Sequence, residues 1–138
     1  MKLSRQASEY SFRSWDGAEL FYRAWLPEQN TAQAIILFHR GHEHSGRWQD
    51  AVDQLDLPDF ALFAWDARGH GRSPGERGDA ENLGVLVRDI DAFVSHISRH
   101  YGIPIENIAI LAHSVGSVLA ATWVHDYAPR IRALVLGS

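Results

Sequence analysis

Apolar residues along this chain fall into two patterns, short runs of strand type and longer stretches with helical spacing. Glu9 to Trp15 roughly alternates with period two, Tyr10 and Phe12 against Ser11 and Arg13. Asp16-Gly17 is a hairpin-turn signal before a second strand-like run, Ala18 to Leu26, so an antiparallel pair opens the fold. Past the polar loop Pro27 to Thr31, Ala34-Ile35-Ile36-Leu37-Phe38 is continuously apolar, as expected of a strand buried on both faces of a parallel sheet. A short helical face follows at Trp48, Ala51, Val52 and Leu55, with Ser45 as candidate cap and Pro58 as stop. Phe60 to Trp65 is the next apolar strand, ending at Asp66.

Asp66 to Gly78 holds four glycines and a proline, which predicts a structured loop rather than a helix. Leu83, Leu86, Val87, Ile90, Val94, Ile97 and Tyr101 then mark the apolar face of a long helix. Arg88, Asp89, Asp91, Ser95 and Arg99 are assigned to its polar face, and Gly102 and Pro104 end it. Ile108 to Ala112 is a further buried-type strand, Val115 to about Tyr127 a helix closed by Pro129, and Ile131 to Gly137 one more apolar strand. Strands alternating with helices imply a right-handed βαβ progression and an α/β fold. Its sheet is mostly parallel, with an antiparallel N-terminal hairpin and about six strands. Ligands in such folds bind at the carboxyl ends of the strands. The unusual residues of this chain sit there: His39 to Gly46, Asp66 to Gly78, and Ser114.

With 138 residues, 46% hydrophobic and 22% charged, the chain fits one globular unit and leaves no room for a second. A formal charge of -4 gives no basic footprint, so nucleic acid is not an expected partner. No apolar run approaches membrane-spanning length, and Met1 to Tyr10 is too polar for a signal peptide, making the cytoplasm the default expectation. The absence of cysteine excludes disulfides and a thiol nucleophile.

Ile108-Ala109-Ile110-Leu111-Ala112-His113-Ser114-Val115-Gly116 matches a strand–serine–helix turn of the G-x-S-x-G type, with Ala112 at the first glycine position. Such a turn lifts a serine hydroxyl clear of the sheet over a helix N-terminus. The plainer alternative is a turn whose serine only caps the helix. Upstream, His39, His42 and His44 could converge on zinc. That metal reading is set aside because the further acidic and histidine ligands of a dinuclear site are not evident, and no cofactor is expected. The better reading is a loop offering a backbone N–H to a developing oxyanion, with Gly41 the candidate. In Asp66 to Gly78, a carboxylate, a histidine and a serine lie close together. Neighbours on one loop rarely reach a nucleophile in triad geometry, so Asp66 and Arg68 are read as structural, pinning the loop by a charge-assisted hydrogen bond.

The three segments His39 to Trp48, Asp66 to Ser73 and Ala112 to Gly116 together resemble, in order and spacing, the α/β-hydrolase family, over nearly the whole chain. The nearest branch is the serine hydrolases similar to monoacylglycerol lipase and lysophospholipase, with the pattern H-G-x-G-E-H-S-x-R-[YW], D-x-R-G-H-G-x-S and G-H-S-M-G-G. This resemblance implies Ser114 as nucleophile and the N–H groups of Gly41 and Val115 as the oxyanion hole. It implies a carboxylic ester substrate such as a monoacylglycerol or a lysophospholipid. Arg40 and His42 stand where the family has glycines. The spelling of the first segment is also similar to bacterial hydrolase domains fused ahead of a methyltransferase domain.

In the family order an acid and then a histidine follow the serine on later loops. After Ser114 this chain offers only His125 and Asp126, on the following helix and about 16 Å of rise away. Residues 1–138 are therefore expected to be the N-terminal portion of a single hydrolase domain, inactive alone, its partners the rest of that domain or a fused domain. The rival is a non-catalytic scaffold that keeps the fold without the chemistry.

Overall fold

The computed structural model describes residues 6–39, 48–69, 72–73 and 83–137, the Val115 side chain excepted. Six strands form one sheet: β1 (Ser8–Arg13), β2 (Glu19–Trp25), β3 (Ala34–Phe38), β4 (Ala61–Trp65), β5 (Ile108–His113) and β6 (Ala133–Gly137). Three helices accompany them, α1 (Gln49–Leu55), α2 (Leu83–Tyr101) and α3 (Val115–Tyr127). Among the described residues no helix is long and apolar enough to cross a membrane.

The strand order is β1-β2-β4-β3-β5-β6. β1 pairs antiparallel with β2, and β2 antiparallel with β4, while β4, β3, β5 and β6 run parallel. Hydrophobic pattern explains the placement. β4 is buried at all five positions and lies inside the sheet, whereas β1, whose only buried residue is Phe12, forms one edge. Because side chains alternate across a strand, the two faces gather different cores. Ile36, Phe38, Phe63 and Trp65 pack with Phe93 of α2 and Trp123 of α3 on one face. Leu37, Leu62 and Ala64 pack with Val52 of α1 and Trp25 on the other. β6 forms the second edge, and Val135 and Leu136 are 54% and 49% exposed there.

Helix boundaries follow their stop signals. α1 ends at Asp56 in the left-handed region (φ 51°), two residues before Pro58. Its N-cap position is Trp48, which makes no side-chain capping bond, and Ser45 lies outside the described residues. α2 corrects the sequence reading at three positions. Leu83, expected on the apolar face, is 42% exposed, while Phe93, not counted on it, is fully buried. Asp89, expected on the polar face, is also fully buried. Asp89, Phe93 and Ile97 are spaced by four along the helix, so the buried stripe is wider than the apolar residues alone suggest. One turn of 3₁₀ helix, Ile105–Asn107, leads into β5 and had no periodicity to announce it.

Candidate active site

β5 alternates buried and half-buried residues up to His113, then the backbone turns sharply at Ser114, φ 56° and ψ −118°. A positive φ is uncommon for a residue with a Cβ and costs about 1–3 kcal/mol unless surrounding structure over-determines it. Here the restraints are visible. The Ser114 N–H donates to the Gly137 carbonyl at 2.9 Å, and the Ser114 carbonyl accepts the N–H groups of Ser117 (2.9 Å) and Val118 (3.3 Å). α3 starts at the next residue.

Ser114 occupies the N-cap position of α3 but makes no side-chain capping hydrogen bond. The capping alternative required its oxygen to accept an N–H of the first helical turn. That oxygen makes no hydrogen bond among the described residues, and Ser114 is half-buried at the carboxyl end of the parallel strands. The adjacent glycine is dictated by space. A Cβ on Gly116 would lie 2.5 Å from the His39 carbonyl oxygen and 2.8 Å from that of Phe38, both backbone atoms. At the position two before the serine, Ala112 is buried, and its small side chain suits the tight passage of strand and helix.

The end of β3, with His39 just beyond it, thus lies against the start of α3. Gly41, His42 and His44 lie outside the described residues. Val115 is the first residue of α3. His39 is buried, and its Nε2 accepts the Ala67 N–H at 3.1 Å, which fixes the neutral tautomer with the proton on Nδ1. This bond ties the loop after β3 to the loop after β4.

That second loop is held by its own polar groups. Asp66 is buried, and its carboxylate accepts the Arg72 N–H at 2.9 Å. Its own N–H donates to the Phe21 carbonyl at 2.8 Å. The Ser73 hydroxyl donates to the Asp66 carbonyl and accepts the Phe21 N–H at 2.9 Å, so it is consumed in fastening the loop to β2. Arg68 forms two charge-assisted forks. One grips Asp16 in the β1–β2 turn at 2.9 Å twice, the other grips Asp89 of α2 at 2.9 and 2.8 Å. The Ser14 hydroxyl adds a 2.6 Å bond to Asp89. Hydrogen bonds donated to Asp89 and then to Asp16 hold the guanidinium above its ordinary pKa, and the Arg68 hydrogen bond holds Asp16 below the usual carboxylate range. Sequence alone singled out Arg68 but not Asp89, whose one signal was its place in the four-residue spacing with Phe93 and Ile97.

His125 and Asp126 are exposed near the end of α3 and pair with each other at 3.1 Å. Among the described residues, then, the turn presents a serine hydroxyl at a helix N-terminus, with no histidine bonded to the serine oxygen. The arrangement suits attack on an electrophilic carbon whose oxygen gathers charge next to backbone N–H donors.

Comparison with known proteins gives a consistent result. The model of the family described as serine aminopeptidase, S33, matches residues 29–138. The uncharacterized protein YnbC of Escherichia coli is 52% identical over the full length of this chain, which spans 24% of YnbC. Human monoglyceride lipase is 37% identical over 76% of this chain and 34% of its own. Among solved structures, a thermostable carboxyl esterase from Bacillus coagulans superimposes with a TM-score of 0.76 at 22% identity, over 94% of this chain and 43% of the esterase. The chain thus spans a quarter to a third of these curated relatives' length and under half of the esterase.

Proposed function

Since this chain belongs to the serine aminopeptidase S33 family of α/β-hydrolases, whose esterase and lipase members are carboxylic ester hydrolases, we propose that Ser114 is the nucleophile of such a hydrolase. The observation that carries this is the Ser114 turn itself: a left-handed backbone at the strand ends with a hydroxyl that caps nothing. A serine whose only duty was to start a helix would not need a strained backbone and would use its oxygen.

The chemistry is acyl transfer. Ser114 Oγ attacks the ester carbonyl carbon and gives up its proton to a base. The carbonyl oxygen becomes an oxyanion held by the Val115 and Gly41 N–H groups, the alcohol leaves with a proton, and water releases the acid from the acyl-serine. Base and acid are supplied by a histidine and a carboxylate outside residues 1–138, which form the amino-terminal part of the hydrolase domain. The share of each relative that this chain spans supports that division. Without its base the serine stays protonated at neutral pH, and oxyanion stabilisation alone retains a small fraction of triad activity. The substrate is a small acyl ester, a monoacylglycerol or lysophospholipid. The motif spelling and the likeness to monoglyceride lipase support this class.

A fluorophosphonate probe applied to the full-length protein should label Ser114, with the modified peptide identified by mass spectrometry. Label on Ser73 instead, or none on a protein that hydrolyses esters, refutes the assignment.

A further inference from the structure

Ser114 is held in its conformation from both sides, and both restraints pass through one residue. Its N–H donates to the Gly137 carbonyl at 2.9 Å, and the Ser117 hydroxyl donates to that same oxygen at 2.7 Å. Its own carbonyl accepts the Ser117 N–H at 2.9 Å. Three hydrogen bonds close a ring: the Ser114 N–H and the Ser117 Oγ–H both donate to the Gly137 C=O, and the Ser117 N–H donates to the Ser114 C=O. The orientation of the peptide before Ser114 sets its φ, and that of the peptide after it sets its ψ. The ring fixes both.

A second consequence concerns the proposed oxyanion donor. In a planar trans peptide the Val115 N–H points opposite to the Ser114 C=O. Binding that carbonyl back into the first turn of α3 therefore aims the Val115 N–H away from the helix, free for an incoming oxygen. We propose that Ser117 is a positioning residue for the reactive serine, its hydroxyl clamping the Gly137 carbonyl so that the Ser114 hydroxyl and the Val115 N–H keep their mutual geometry. This rests on the reading of Ser114 as nucleophile. Ser117 touches no substrate; it acts through the carbonyl at the end of β6.

The test compares Ser117→Thr with Ser117→Val in the full-length protein, two side chains of nearly equal shape of which only the first keeps a hydroxyl, beside Ser117→Ala. The rate of Ser114 labelling by a fluorophosphonate is read together with kcat and KM for a short p-nitrophenyl ester. Loss of one hydrogen bond at this site should lower the labelling rate and kcat by about threefold to tenfold in the valine and alanine variants. KM should stay within about twofold, and threonine should restore most of the rate. Equal rates in all four proteins overturn the proposal, as does a loss that threonine shares or a change confined to KM. A native sequence that hydrolyses esters without Ser114 becoming labelled overturns the nucleophile reading and the proposal with it.

Discussion

Replacing Gly116 with alanine perturbs the contact on which the serine turn is built. The new methyl would sit 2.5 Å from the His39 carbonyl oxygen, about 0.9 Å inside the 3.4 Å at which such contacts become ordinary. The second obstacle, the Phe38 carbonyl at 2.8 Å, is the preceding backbone carbonyl at the end of β3, so neither can be relieved by rotating a side chain. β3 and the first turn of α3 must therefore part by close to an ångström. Overpacking of this kind costs about 1–3 kcal/mol. For a hydrolase domain of about 150–250 residues that corresponds to a fall in Tm of about 2–12 °C. The functional loss should exceed the loss of stability, because the two elements forced apart carry the two proposed oxyanion donors, Gly41 beyond β3 and Val115 at the start of α3. A displacement near 1 Å in such a site lowers turnover by about 10²-fold. Calorimetric melting and p-nitrophenyl ester hydrolysis by the full-length protein, against a Ser114→Ala control, measure both effects. A Gly116→Ala protein with unchanged Tm and kcat refutes the close approach and the arrangement drawn from it.

Two other regions give independent expectations. Arg68→Met strands the fully buried Asp89 carboxylate without its guanidinium and should cost about 3–5 kcal/mol in denaturant unfolding, with Arg68→Met/Asp89→Leu recovering much of it; a loss under about 1 kcal/mol contradicts this. His96 accepts or donates a 3.1 Å bond with the Tyr22 hydroxyl. Burial first, then His100 and Arg99, holds its imidazole below the ordinary 6.5. The unfolded chain therefore takes up this proton at higher pH than the folded one, so stability falls as pH drops below about 6.5 and levels off under the folded value. His96→Gln should remove this part of the slope in urea midpoints taken from pH 7.5 to 5, and an unaltered slope disproves it.

Among the described residues, periodicity was enough to read the six strands and three α-helices, because each is a run whose apolar spacing matches the face it buries. Asp89 of α2 shows where such reading stops. Asp89 is charged and was placed with the polar residues, yet it is buried because Arg68, 21 residues upstream, neutralises it. Asp16 joins the same network across 52 residues, and such pairings arise only when the chain is folded. The serine was legible through its small neighbours, since close passage of strand and helix leaves a mark in residue size. Its restraints were not. The Gly137 carbonyl carries no side-chain signature, and Ser117 reads as any polar residue in a first helical turn.

The Gly137 carbonyl stands 20 residues further along the chain than the hydroxyl it receives. That separation imposes an order of events on a protein made from its amino terminus. Until β6 has left the ribosome and paired with β5, the amide of Ser114 has no partner and nothing compels its left-handed backbone, so the segment can relax into an ordinary strand-to-helix turn. The nascent chain at that stage carries an unremarkable serine. The proposed nucleophile is shaped late, by a strand that contributes one oxygen atom to the turn, and a polypeptide interrupted before residue 137 lacks the acceptor that holds the Ser114 amide.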